Sequence, residues 1–240
     1  MNDTMNIGVQ MWSVDDIWKK NPSEAFRRLR GIGYTGVQSM GFFSMDWNEL
    51  AKMLDGEGLR IVDMPFTTKL LAGGESKFLD FCGRFGVDFA FEPFADFKTA
   101  EEWRRHADEL AAIGERFAAR GIRVGYHNHQ HEIRNAVDDA RPLDILFDAG
   151  VSFELDVGHL KVAGEDPVEW LGRLRGRVPS IHAKPAGDKS VGGANDANDW
   201  NAILQAAAEA GAKWAVVECE DRRDTFEDVA ASMDFLATAR

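Results

Sequence analysis

Ile122-Arg123-Val124-Gly125-Tyr126-His127-Asn128-His129-Gln130-His131-Glu132 is a short β-branched run that ends in three histidines and a carboxylate. Two more of the six histidines, His159 and His182, sit at the ends of the next two apolar runs. Histidines that close successive strands meet in space only if those strands are parallel neighbours, so this stretch predicts a parallel sheet with its chemistry along one edge. His106 is the exception; Glu101, Glu102, Arg104 and Arg105 surround it, and it reads as part of a solvated helix face.

Outward from that stretch, apolar runs alternate with helical patterns. Strands are predicted at Asn6–Trp12, Gly36–Met40, Arg60–Met64, Val87–Glu92, Ile122–Tyr126, Val151–Asp156, Ser180–Lys184 and Lys213–Glu218. Helices follow each one, among them Lys77–Arg84 and a long helix opened by Thr99 and stopped by Gly121. Pro167 marks the start of another. Eight such units predict an α/β chain folded as a single (β/α)8 TIM barrel over residues 1–240. An open doubly wound sheet is disfavoured, since no Gly-rich phosphate loop follows the first strand. The loop Pro185–Asn195 is rich in Gly, Asp and Ser and is expected to be too polar for burial.

Composition narrows the function. A net charge of −12 argues against a nucleic-acid partner, because binding a phosphate backbone rests on Lys and Arg. Cys82 and Cys219 are too few for a disulfide framework, which fits a reducing cytoplasm. Met1-Asn2-Asp3-Thr4 lacks the basic-then-apolar pattern of a signal peptide, and no apolar run is long enough to span a membrane.

The chemistry of a (β/α)8 barrel lies at the C-terminal ends of its strands. Those ends hold Gln10, Trp12, Gln38, Met64, Phe66, Glu92, His127, His129, Glu132, Asp156, His159, His182, Lys184, Glu218 and Glu220. Strand alternation sends His127 and His129 to one side and Asn128 to the other, and pairs Glu154 with Asp156. Imidazoles with carboxylates suit a divalent transition metal, and one His or acid from each of strands five to eight makes a four-ligand site with open positions. Trp12 and Phe66 are candidates to stack on a sugar ring, and Gln10, Glu92 and His129 to contact substrate.

Six segments together resemble the xylose isomerase-like (sugar phosphate isomerase/epimerase) TIM barrels. They are Gly8-Val9-Gln10-Met11-Trp12-Ser13, Gly31 to Val37, Gly125-Tyr126-His127-Asn128-His129, Glu154-Leu155-Asp156-Val157-Gly158-His159, Gly176 to Lys184, and Val216-Val217-Glu218. The resemblance implies a divalent metal, manganese first and cobalt, zinc or magnesium next, held by Glu, Asp, His and Glu from strands five to eight. Asp156, His182 and Glu218 match three positions. At the fourth the chain departs from the family: either His127 replaces the Glu, or Glu132 reaches back with its carboxylate. Pro185 is a second departure, standing where relatives often have Asp. The resemblance further implies proton transfer by Glu218 or Glu132 and a substrate contact by His159. His159 or Lys184 would steady the developing oxyanion. The expected activity is isomerisation or epimerisation of a small sugar or keto-polyol through a metal-stabilised enediolate. A lyase acting on a keto-sugar is the alternative, and a non-catalytic sugar-binding barrel the third reading. Whether the chain forms a homo-oligomer is left open.

Overall fold

Strands and helices alternate through a computed structural model that describes residues 5–220 and 225–239. Met1–Thr4, read above for a leader, lies outside the described residues. β1 (Asn6–Gln10) leads through a 3-10 turn at Met11–Val14 into α1 (Asp15–Trp18) and α2 (Pro22–Ile32). The Asn21 side chain accepts the Glu24 N–H and so caps α2. There follow β2 (Gly36–Gln38), α3 (Trp47–Glu57), β3 (Arg60–Ile61), β4 (Met64–Pro65), α4 (Thr68–Phe85), β5 (Phe89–Glu92) and α5 (Ala100–Ala118). β6 (Arg123–His127), α6 (His131–Arg134), α7 (Pro142–Asp148), β7 (Ser152–Asp156), α8 (Val157–Ala163) and α9 (Pro167–Arg173) come next. β8 (Ser180–Ala183), α10 (Trp200–Ala210), β9 (Trp214–Val217) and α11 (Thr225–Thr238) complete the order.

The strands run in the order β3-β2-β1-β9-β8-β7-β6-β5-β4, with every neighbour parallel. The two ends of that order are separated in sequence only by Val62 and Asp63, so β3 and β4 are halves of one barrel strand and the sheet comes round on itself. The continuous strand expected at Arg60–Met64 is therefore interrupted. The chain changes partner there: Val62 N–H donates to Val37 O, and Phe66 N–H to Phe91 O. Between them the Asp63 carboxylate takes hydrogen bonds from Gln38 Nε2 (2.5 Å) and Ser180 Oγ (2.9 Å).

Four helices differ from expectation; α1 and α6 are short additions that the sequence reading did not mark. α4 begins at Thr68 rather than Lys77, with Thr67 Oγ1 accepting the Leu70 N–H at 3.1 Å. Gly73-Gly74 masks its first half in the sequence, and the backbone kinks at Gly74. α8 is an added helix directly after β7, started by the side chain of Asp156.

Packing divides the apolar residues into two layers. Phe66, Phe78 and Phe117 interlock on the helix side of the sheet, with ring centroids 5.9–6.2 Å apart. Phe89 and Phe91 stack at 5.9 Å within the barrel. Gly125 makes room for them, since a Cβ there would lie 2.8 Å from the Phe89 ring and 2.4 Å from Ser152 O.

Candidate active site

Register sets the layers of the site. Asp156 pairs with His182, Glu154 with Ser180, and His127 with Glu154, so acids and imidazoles from β6, β7 and β8 share the barrel interior. Asp156 closes β7 and also caps α8: its Oδ1 accepts the His159 N–H at 2.7 Å, which leaves Oδ2 for other work. Asn128 grips the backbone behind it, accepting from Asp156 N–H at 2.9 Å and donating to Asp156 O at 3.3 Å.

Asp156 Oδ2 lies at the meeting point of three rings: 3.7 Å from His182 Nδ1, 3.8 Å from His159 Nε2 and 4.0 Å from His127 Nε2. Both Asp156 Oδ2 and His182 Nδ1 are buried without a hydrogen-bond partner. Glu218 Oε2 comes within 3.2 Å of His182 Nδ1 and 3.3 Å of Lys184 Nζ, and Lys184 also pairs with Glu220. Below this layer, Glu154 Oε2 sits 3.1 Å from His127 Nδ1 and 3.4 Å from His182 Nε2. Gln38 ties the floor together, donating to Asp63 and Glu154 (2.6 Å) and accepting from His182 Nε2 (2.9 Å).

Burial and charge act against each other here. Burial disfavours a charged His182, yet Glu154, Asp156 and Glu218 outweigh it and hold its pKa well above the usual range. Burial, with the neighbouring His182, brings His127 down to about 3. Asp156 is buried and Glu218 partly so, and burial works to raise both, but their neighbours win: His159 and His182 hold Asp156 low, and His182 and Lys184 hold Glu218 low. Burial raises both Asp63 and Glu154, and the charge of Glu154 raises Asp63 further. The ligand atoms of His127, Asp156 and His182 lie within 4.8 Å of one another, and Glu218 adds a second carboxylate beside His182. Two imidazoles and two ionised carboxylates, with unpartnered atoms converging, form a donor set that fits a divalent cation.

His159, His129 and Lys184 border this centre. The His129 ring is 4.8 Å from that of His127 and 5.0 Å from that of His159. Gln10 reaches it indirectly, donating to Gln38 Oε1 at 2.5 Å. Trp12 is 47 % exposed, in the turn after β1.

Five expectations are corrected. Phe66 is fully buried in the helix-side aromatic layer and has no face to offer a sugar. Glu92 pairs in register with Tyr126 and points to the helices, where its Oε2 lies 3.3 Å from His106 Nε2. His106 is therefore buried rather than solvated. Glu132 is committed elsewhere: it accepts from Tyr126 Oη at 2.6 Å and from His129 N–H at 2.8 Å, and neither joins the His127–Asp156–His182 cluster nor reaches back to it as a proton carrier. The Pro185–Asn195 loop is also less exposed than expected. Asp188 accepts the Lys189 and Asn195 N–H groups, Asp196 takes those of Ala186 and Gly192, and Val191 is buried. Thus held, the loop walls a cleft of about 590 Å³ shared with Lys184, Glu218 and Glu220.

Sequence reasoning assigned no role to Glu154, Gln38, Asp63, Asn128 and Phe94. Glu154 carried a signal, standing two residues before Asp156 on the same strand face. Phe94, 56 % exposed with its ring 5.5 Å from His129 and 5.0 Å from His131, carried none.

Residues 26–239 match the model of the xylose isomerase-like TIM barrel. An inosose dehydratase of Clostridium beijerinckii is 27% identical over 201 residues, covering 72% of this chain and 67% of that protein. A sugar phosphate isomerase/epimerase from Parabacteroides distasonis superposes with a TM-score of 0.84 at 22% identity, covering 98% of this chain and 94% of that one. A 3-keto-D-glucoside 4-epimerase from E. coli superposes with a TM-score of 0.74 at 17% identity, over 98% and 99%. At these identities the two structures show the shared fold.

Proposed function

The chain belongs to the xylose isomerase-like TIM-barrel family, and we propose that it is a divalent-metal-dependent enzyme acting on a small sugar or keto-polyol. In this reading it moves a proton at the carbon beside the carbonyl, as an isomerase or epimerase. The observation that carries the reading is Asp156 Oδ2, buried and unpartnered where His127, His159 and His182 converge. His127, Asp156, His182 and Glu218 are the residues assigned to hold the ion, manganese first and cobalt, zinc or magnesium next. Bound there, such an ion supplies a Lewis acid that polarises a carbonyl and acidifies the adjacent C–H.

The chain's own groups do the rest. Glu218 is ionised and carries Oε2 beside Lys184, so it is assigned as the proton acceptor. Lys184, held by Glu218 and Glu220, faces the cleft and is assigned to steady negative charge developing on substrate oxygen. His159 and His129 on the rim, with the exposed Trp12, are assigned to substrate hydroxyls and ring.

A dehydratase reading is favoured by the inosose dehydratase relative and by the paired rim imidazoles, which could protonate a departing hydroxyl. Incubating candidate keto-sugars with enzyme and manganese in D2O separates the two. An isomerase or epimerase returns a product of unchanged composition carrying solvent deuterium; loss of water assigns the lyase. Asp156→Asn is expected to weaken metal uptake and lower turnover by about 100-fold or more. Retained uptake and turnover would remove Asp156 from the centre.

A further inference from the structure

Beside the centre, where β6 runs into α6, a second set of ligating atoms converges. The ligand atoms of His129, His131 and Glu132 all lie within 4.8 Å of one another. Glu132 is fully buried, and the Tyr126 hydroxyl and the His129 N–H fix the direction of its carboxylate. His131 Nε2 lies 2.9 Å from the Ala95 carbonyl oxygen, which can only accept, so that nitrogen carries the proton. In a neutral ring this leaves a lone pair on His131 Nδ1, 3.3 Å from Glu132 Oε2. His129 Nδ1 is buried without a hydrogen-bond partner and lies 3.6 Å from Glu132 Oε1. Two imidazole nitrogens thus crowd one carboxylate. A cation among them would take one ligand atom from each of the three side chains.

We propose that His129, His131 and Glu132 hold a second divalent transition-metal ion, of the zinc or cobalt class. Two imidazoles and one carboxylate are a three-ligand set that leaves a position for water or a substrate oxygen. The Phe94 ring lies against both histidines and shields one side of the site. The His129 ring is 4.8 Å from that of His127, so the two ligand sets lie side by side. This site shares no ligand with the His127–Asp156–His182–Glu218 centre; with an ion held there, His129 would meet a substrate oxygen through that ion rather than directly.

Cobalt(II) is the probe. The full-length chain, stripped with chelator and confirmed folded by circular dichroism, is titrated by equilibrium dialysis while the cobalt d–d absorption is followed. Wild type is expected to bind two equivalents. His131→Gln and His129→Gln should each lose one, or weaken it by about 100-fold, and keep the other. Asp156→Asn should lose the complementary equivalent. His131 is partly exposed, so its replacement leaves the fold intact, and the His129 variant is an independent check. A single equivalent in wild type that survives His131→Gln overturns the proposal. Two equivalents unaffected by either histidine variant overturn it as well. No cobalt binding at all removes both sites.

Discussion

Glu154 places one carboxylate oxygen near two imidazoles, His127 at Nδ1 and His182 at Nε2, each by the ring nitrogen turned away from Asp156 Oδ2. A carboxylate in that position fixes ring orientation and favours a neutral ligand nitrogen on the far side. Glu154→Gln keeps the shape and is expected to weaken manganese or cobalt binding by about 10- to 100-fold, read by titration, with the circular dichroism spectrum unchanged. Unchanged affinity would mean that packing alone orients the rings. Glu92 has a different consequence, for stability. Burial pushes its pKa up to about 7, from an ordinary 4.5, and brings its neighbour His106 down to about 4. Between those two Glu92 values the folded protein binds the proton more tightly than the unfolded chain. The contribution of Glu92 to stability is therefore full below pH 4.5 and is lost as pH rises through 7. His106 has the opposite sign, its contribution falling away as pH drops from 6.5 toward 4, and that loss is common to wild type and variant. The melting temperature of Glu92→Gln minus that of wild type should thus climb from pH 5 to pH 8, by the equivalent of roughly 1–3 kcal/mol. A flat difference would refute the raised pKa.

α8 shows how an element tunes the site. Its first turn holds Asp156 by the cap, and Gly158 lets it lie directly against β8. A Cβ on Gly158 would stand 2.6 Å from the Lys184 carbonyl oxygen and 2.8 Å from Lys184 Cβ. Backbone cannot yield to such contacts as a flexible side-chain tip would. Gly158→Ala is therefore expected to cost about 1–3 kcal/mol in chemical denaturation and to weaken metal binding, since Asp156 and Lys184 move apart together. A variant as stable as wild type with full metal affinity would show that α8 is free to shift. The same element was invisible beforehand, because Val157–Ala163 is short and lacks the span over which a helical period shows. α4 was half visible: Lys77–Arg84 carries the pattern, whereas the Gly pair before it looks like a break. β5 is the opposite case, plainly a strand whose facing direction could not be read. Both of its faces are buried, so no polar alternation marks which phase, Phe89 and Phe91 or Ala90 and Glu92, turns toward the barrel interior.

At the scale of the molecule, closure of the sheet brings distant strand ends together. Gln38 on β2, Asp63 between β3 and β4, Glu154 on β7 and Ser180 on β8 meet in one hydrogen-bonded floor beneath the imidazoles. No helix among the described residues is long and apolar enough to cross a membrane. The alternation of apolar runs with amphipathic segments, present in the sequence itself, determined the barrel. It also determined that Asp156, His182 and Glu218 belong to one rim, because in a parallel barrel every strand ends on the same side. Tertiary structure alone decided which strand-end residues face inward. Glu92 and Phe66 close apolar runs as Asp156 does, yet strand register and the strand break at Asp63 turn them toward the helices. It also decided that the Glu132 carboxylate is committed to Tyr126 and His129 rather than to the deeper centre. Spacing along a chain specifies which residues can share a face; the direction of that face is set by what packs on either side of it.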